Sequence, residues 1–169
     1  QPAAFEKQVA WMKAEGFHFV TMQELQDNWG KHPEKTVAIT FDDGYLDNLE
    51  NAYPILEKHQ AKATIYVVVE RHDRDWSTYK KAHHNSGELA REPKLNDEQV
   101  HFLAQSGIVE IGSHTLTHAN LEKLSDAECL VELRDSKAQL EQLTQKSVMS
   151  FAYPFGIYSQ RDVETARQV

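Results

Sequence analysis

The 169-residue chain predicts a parallel α/β fold of the barrel kind. Helical and strand-like patterns alternate from one end to the other, as parallel strands joined by crossover helices require. The side chains able to do chemistry stand directly after two of the strand-like runs, where α/β barrels gather their reactive groups. The content of apolar residues, 40%, is enough for one core, and residues 1–169 read as one domain with no repeat, low-complexity tract or linker.

The elements follow in order. Phe5, Val9 and Met12 share one face of a first helix, which Gly16 ends. Residues 20–29 begin as a short strand and continue helically. The run 37–41, Val-Ala-Ile-Thr-Phe, is short, apolar and β-branched, and reads as a buried strand. Leu46, Leu49, Tyr53 and Leu56 recur at helical spacing, with Pro54 a kink or restart. Residues 63–69 form a strongly β-branched strand. The polar stretch 71–94, with Trp76 and Tyr79 embedded, reads as a long excursion over the barrel mouth. A short helix over 96–105 ends at Gly107, and 108–113 is another buried strand. Ser125-Asp126-Ala127-Glu128 is a capping-box signature for a helix reaching about residue 144. Residues 148–153 read as the next strand, and Ser159 caps a last helix.

Composition excludes some functions. A net charge of −8 and a pI near 5.6 argue against nucleic acid, whose binding leans on basic patches. No run reaches the roughly 18 apolar residues of a membrane span. Cys129 is the sole cysteine, so no intramolecular disulfide forms, and its expected place is a small buried helix position.

Two segments carry the chemistry. Thr40-Phe41-Asp42-Asp43-Gly44-Tyr45 places adjacent carboxylates at a strand end, where Gly44 permits a turn that lets both project. His114-Thr115-Leu116-Thr117-His118 follows the strand at 108–113. Alone, Asp-Asp-Gly is more often a polar turn, and His-x-x-x-His recurs by chance among nine histidines. Together they supply two imidazoles and one carboxylate, the three protein ligands of a catalytic zinc site, and leave a second carboxylate to move a proton. That is the chemistry of a metal-assisted hydrolase.

These segments, with Phe151-Ala152-Tyr153-Pro154-Phe155-Gly156, resemble in order the first three motifs of the polysaccharide deacetylases, the NodB-homology, carbohydrate esterase family 4 enzymes. The Phe-Ala-Tyr-Pro form is closest to the branch that deacetylates poly-β-1,6-N-acetylglucosamine. The resemblance implies a distorted (β/α) barrel, here an incomplete portion of one, since a whole barrel takes about 200 residues or more. It implies removal of N-acetyl groups from an N-acetylated glycan at the cell envelope, outside the cytoplasm. Asp43, His114 and His118 would hold a divalent metal, Zn²⁺ first, with Ni²⁺, Co²⁺ or Fe²⁺ compatible with the same ligands. Asp42 would be the general base, Phe155 would give a backbone N–H to the oxyanion, and Tyr153, Pro154 and Tyr45 would line the substrate groove.

The chain departs from the family pattern at two points. Ala152 stands where many members carry an arginine that braces the base. The late motif that supplies a histidine acid has no counterpart after Gly156; in the closest branch that histidine can lie ahead of a helix like the first one here. The span on its own is therefore expected to be weakly active or inactive. His72 is a substitute acid without motif support, His83 and His84 read as solvated, and Trp76 and Tyr79 either stack on sugars or pack the excursion down. The rival readings are a catalytically silent carbohydrate-binding domain, or a deacetylase of peptidoglycan, chitin oligomers or a lipid-linked sugar.

Overall fold

A computed structural model describes residues 1–72 and 92–169. The readings for Trp76, Tyr79, His83 and His84 lie outside the described residues. The element order is α1 (Pro2–Ala14), β1 (His18–Val20), α2 (Met22–Asp27), β2 (Thr36–Phe41), α3 (Tyr53–His59), β3 (Ala63–Val67), α4 (Asp97–Gln105), β4 (Val109–Ser113), α5 (Asp126–Thr144) and α6 (Gln160–Ala166). The strands are all parallel and lie side by side in chain order, β1-β2-β3-β4. Such an order is the wall of a barrel, each strand returned to its neighbour's side by a helix on the outer face.

Alternation along the strands explains the two faces. Ile39, Ala63 and Val109 share a register line, and with Ile65 and Ile111 they turn toward the helices. Val9, Phe19, Ile55 and Leu56 cover one part of that face, and Leu103, Val100 and Leu140 cover the other. Each such side chain removed from water contributes about 1.5–3 kcal/mol. The opposite face carries Thr64, Tyr66, Glu110 and Gly112, and it is polar. The Glu110 carboxylate accepts from the Thr64 hydroxyl at 2.9 Å, from the Gln23 N–H at 2.9 Å and from the Ser150 hydroxyl. Thr64 Oγ1 also accepts the Met22 N–H at 2.9 Å. The first turn of α2 is thus plugged into the wall by side chains from β3 and β4, which satisfy its open donors.

Among the described residues, Gly112 is the one glycine whose missing side chain the packing demands. A Cβ there would stand 2.5 Å from the Tyr66 ring and 2.7 Å from Ser150 Oγ, since Tyr66 lies directly opposite on β3. Gly112→Ala is therefore expected to lower stability by about 1–3 kcal/mol, read as the urea midpoint at unchanged m-value. An unshifted midpoint would mean that Tyr66 moves aside freely.

Most expected elements are present, with local corrections. Gly16 closes α1 with φ +79°, its N–H on Lys13 O and that of Phe17 on Met12 O, a Schellman end. Ser125 heads α5 with the capping box expected of it, and Ser159, expected as a cap, heads α6 with a reciprocal box to Asp162. The strand at 18–20 and the helix at 22–27 are two elements parted by a Thr21 capping box, and Trp29 lies beyond both. Around Pro54 the helical pattern opens with a π turn, Asn48–Ala52, before α3. Proline lacks the N–H that an α ladder would send to residue 50, so the wider register is cheaper there. The strand expected over 148–153 shrinks to one parallel bridge, Ser113 to Phe151. Its bonds are Ser113 N–H to Ser150 O and Ala152 N–H to Ser113 O, and the buried turn at Pro154 ends the pairing. Among the described residues no helix is long and apolar enough to cross a membrane.

Candidate metal centre

β2 ends at Phe41, and the chain turns at once through Asp43 (φ +69°) and Gly44 (φ +65°). A left-handed aspartate is uncommon but tolerated, because its short side chain does not crowd the following carbonyl. The turn re-aims the Asp43 side chain, which plain strand alternation would have sent away from that of Asp42. Two strands along the wall, β4 ends at Ser113 and runs into the 114–118 loop. Thr115 (φ +71°) and His118 (φ +57°) are left-handed there, and Phe155 (φ +61°) is left-handed in the neighbouring turn. Among the described residues, the remaining non-glycine cases, Gln60 and Gln145, are helix C-caps. Backbone strain away from helix ends is thus confined to this one region, the pattern expected of a functional site.

The strained loop is tied on three sides. The His114 N–H donates to Val67 O at 3.0 Å, and Thr115 and Leu116 carbonyls accept from Val69 and Glu70 at 3.3 and 2.8 Å. These bonds stop β3 at Val67, two residues before its apolar run ends. From α5, the buried Glu132 carboxylate accepts the Thr117 N–H at 2.9 Å and the Thr117 hydroxyl at 2.6 Å. Glu132 left no mark in the sequence as a site residue, because it reads as one more helix acid. Glu132→Ala would take the partner from both donors of the half-buried Thr117, and it is expected to weaken metal binding about 10–100-fold while the helical circular dichroism holds. Unchanged affinity in a chelator competition would show that the loop keeps its shape without α5.

Asp43, His114 and His118 converge, each offering one ligand atom, with those atoms all within 4.8 Å of one another. Asp43 Oδ1 lies 3.4 Å from His114 Nε2 and 3.2 Å from His118 Nε2. The other nitrogen of His114 decides its tautomer. Nδ1 is 2.9 Å from Ala152 O, and a carbonyl can only accept, so Nδ1 carries the proton. In the neutral ring, Nε2 then presents a lone pair toward a carboxylate oxygen. Asp43 Oδ1 is itself buried and accepts no hydrogen bond of good geometry among the described residues. Lone pairs crowded this way repel unless a cation lies between them, either a proton or a metal ion. The donor set, two imidazole nitrogens and a carboxylate oxygen, fits a divalent transition metal.

Burial alone would raise the Asp43 pKa. In the case where a proton is the cation between them, hydrogen bonds from His114 and His118 and the charge of His118, with the Lys94 ammonium beyond, hold it well below the usual carboxylate range. The Lys94 ammonium donates to Asp43 O at 3.3 Å and sits 3.2 Å above the Tyr45 ring. Burial, then the neighbouring Asp43 carboxylate, push the Tyr45 hydroxyl far up, so it stays a neutral donor at any working pH.

The other site candidates fall as follows. Asp42 is exposed and stands next to the cluster without joining it. Phe155 packs its ring edge-on against His118, centroids 4.6 Å apart, in the short turn Pro154–Gly156. Pro154 is buried in that turn. The Tyr153 ring packs with Leu121, Cys129 and Leu133 and stacks on Tyr158 at 4.8 Å, on the helix side of the wall. Cys129 is buried and its thiol donates to Asp162, as a packed helix residue does. His72 is exposed.

Residues 30–169 match the family described as polysaccharide deacetylase. The chain belongs to the polysaccharide deacetylase family. Among its relatives, YxkH of Bacillus subtilis, named as a candidate polysaccharide deacetylase, is 33% identical over 167 residues, covering 97% of this chain and 53% of that protein. The poly-β-1,6-N-acetyl-D-glucosamine N-deacetylase of Staphylococcus aureus strain MRSA252 is 28% identical over 163 residues, 90% of this chain and 52% of its own. The solved structure of the Streptococcus pyogenes deacetylase PplD, in complex with acetate, superposes with a TM-score of 0.82 at 29% identity, over 99% of this chain and 68% of that one. The chain spans about half the length of the curated relatives it matches. Its parallel sheet is a curled half-barrel, part of the NodB-type (β/α) barrel.

Proposed function

We propose that this polysaccharide deacetylase family member hydrolyses N-acetyl groups on N-acetylglucosamine-containing polysaccharide at the cell envelope. Zn²⁺, held by Asp43, His114 and His118, is the proposed cofactor. The observation that carries the reading is the buried Asp43 Oδ1 facing two imidazole nitrogens, one of them on a ring whose Nδ1–H is held by the Ala152 carbonyl. When bound, such an ion polarises an acetamide carbonyl and acidifies water. Likeness to the poly-N-acetylglucosamine deacetylase of S. aureus supports the choice of glycan.

The chain's own groups supply most of the rest. Asp42, exposed beside the cluster, takes the proton of the attacking water, and a second acid, such as the histidine of the family's late motif, gives one to the departing amine nitrogen. The Phe155 N–H, on a left-handed residue against His118, donates to the oxygen that gains charge as the carbonyl turns tetrahedral. Tyr45, kept neutral, and the buried Pro154 edge the acetamide pocket, and Tyr153 holds the 154–156 turn from behind through its packing.

The test is acetate release from oligomers of poly-β-1,6-N-acetylglucosamine by protein stripped with a chelator and then reloaded with Zn²⁺, Co²⁺ or Ni²⁺. Release should vanish on stripping and return on reloading. Metal-independent release would overturn the cofactor assignment. Full metal occupancy with glycan binding but no release would favour a silent carbohydrate-binding domain.

A further inference from the structure

Described residues on either side of 73–91, Val69 before it and Leu95 and Asp97 after it, meet at Arg71, a buried guanidinium, 2% exposed. It sits just past β3 and donates through three nitrogens. Nε binds Leu95 O at 2.5 Å, one terminal nitrogen binds Val69 O at 3.1 Å, and the other binds the Asp97 carboxylate at 2.5 Å. One side chain thus joins the segment that leaves the wall to the segment that returns to it, 24 residues later.

The segment after 73–91 does more than meet Arg71. Residues 93–95 run along the Asp43 turn as a short strap. The Leu46 N–H donates to Pro93 O at 2.8 Å, and the Leu95 N–H donates to Gly44 O at 2.9 Å. Tyr45 and Lys94 pair as an antiparallel bridge, and the Lys94 ammonium reaches Asp43 O. Leu95 is therefore held from both sides, its carbonyl by Arg71 and its N–H by Gly44. The residue it steadies is the left-handed Gly44, next to the left-handed Asp43.

We propose that Arg71 is a positioning residue for the metal ligand Asp43, acting through the 93–95 strap. The inference rests on the metal reading above and extends it to a residue outside the three motifs. A planar fork reaching two carbonyls and a carboxylate fixes direction as well as distance. Lysine keeps the charge but has no such fork, so it holds the strap less rigidly. Asp43 must adopt a strained backbone to aim its carboxylate, and loosening Leu95 lets the turn relax away from that geometry. The three bonds given for Arg71 go to Val69, Leu95 and Asp97 and not to a metal ligand, so its effect falls on metal affinity and ligand geometry through the strap.

The experiment compares Arg71→Lys and Arg71→Met with the unaltered protein, using Zn²⁺ affinity by chelator competition and the visible spectrum of the Co²⁺ form. Circular dichroism and Tm check folding. Arg71→Lys is expected to stay folded and bind Zn²⁺ about 10-fold more weakly, with altered Co²⁺ bands, and Arg71→Met to lose more. In a cycle with Lys94→Met, the two effects on affinity should be non-additive, since both pass through one strap. Folded Arg71 variants with unchanged affinity and spectrum would overturn the proposal, as would strict additivity with Lys94→Met. If the unaltered protein bound no metal, the metal reading itself would fail, which is a separate outcome.

Discussion

His114→Ala is expected to strip the protein of its divalent ion and of acetate release together. The ring is 2% exposed, so it has no counterpart in solvent to replace it. Its removal takes away one of three ligand atoms and leaves the Ala152 carbonyl without its donor. Two ligands remain, fewer than the three protein ligands that catalytic zinc sites commonly use. Metal analysis after gel filtration should fall from close to one ion per chain to near none. Asp43→Asn should behave alike, because the neutral amide no longer balances the dication. Circular dichroism guards against a trivial cause, since an unpaired buried carbonyl costs only about 1–3 kcal/mol. Equal metal content in His114→Ala and the unaltered protein would remove this histidine from the centre.

Asp42→Asn separates the neighbouring carboxylates. It is expected to keep its metal and to lose turnover by roughly 10²–10⁴-fold, the usual worth of a positioned proton carrier. Because Asp42 is exposed and outside the ligand cluster, the amide should leave Zn²⁺ affinity and Tm within error. The fall should appear in kcat and kcat/KM alike, since the lost interaction is made only in the transition state. If Asp42→Asn lost metal while Asp43→Asn kept it, the two roles would be exchanged.

The wall was legible because β-branched runs such as 37–41 and the apolar strand at 108–113 admit few other readings. The capping box at Ser125 was legible because the signature is itself the hydrogen-bond pattern, whereas at Ser159 only the cap was, its N3 partner being Asp162. The 148–153 segment was over-read: its composition suits a strand, but the described residues pair it at a single position. At the site, the three ligand residues stood out because their types are rare together. Their supports did not. Glu132 acts across 15 residues and Arg71 across 24 and 26, separations at which no local spacing rule operates. Tyr153 illustrates a different gap, since a motif gives its position but not which side of the wall its ring takes.

The bond from His114 to Ala152 draws on main chain alone at its accepting end. Substitution at position 152 changes a side chain and leaves the carbonyl in place. The tautomer of His114 is therefore insulated from mutation at its own partner. Arginine, alanine or any residue that keeps the local backbone can occupy 152 while Nε2 stays free for a cation. Lineages can then trade the side chain there for other purposes, such as bracing a neighbouring acid, without putting the ligand set at risk. Had a carboxylate side chain served instead, one nucleotide change could have erased it.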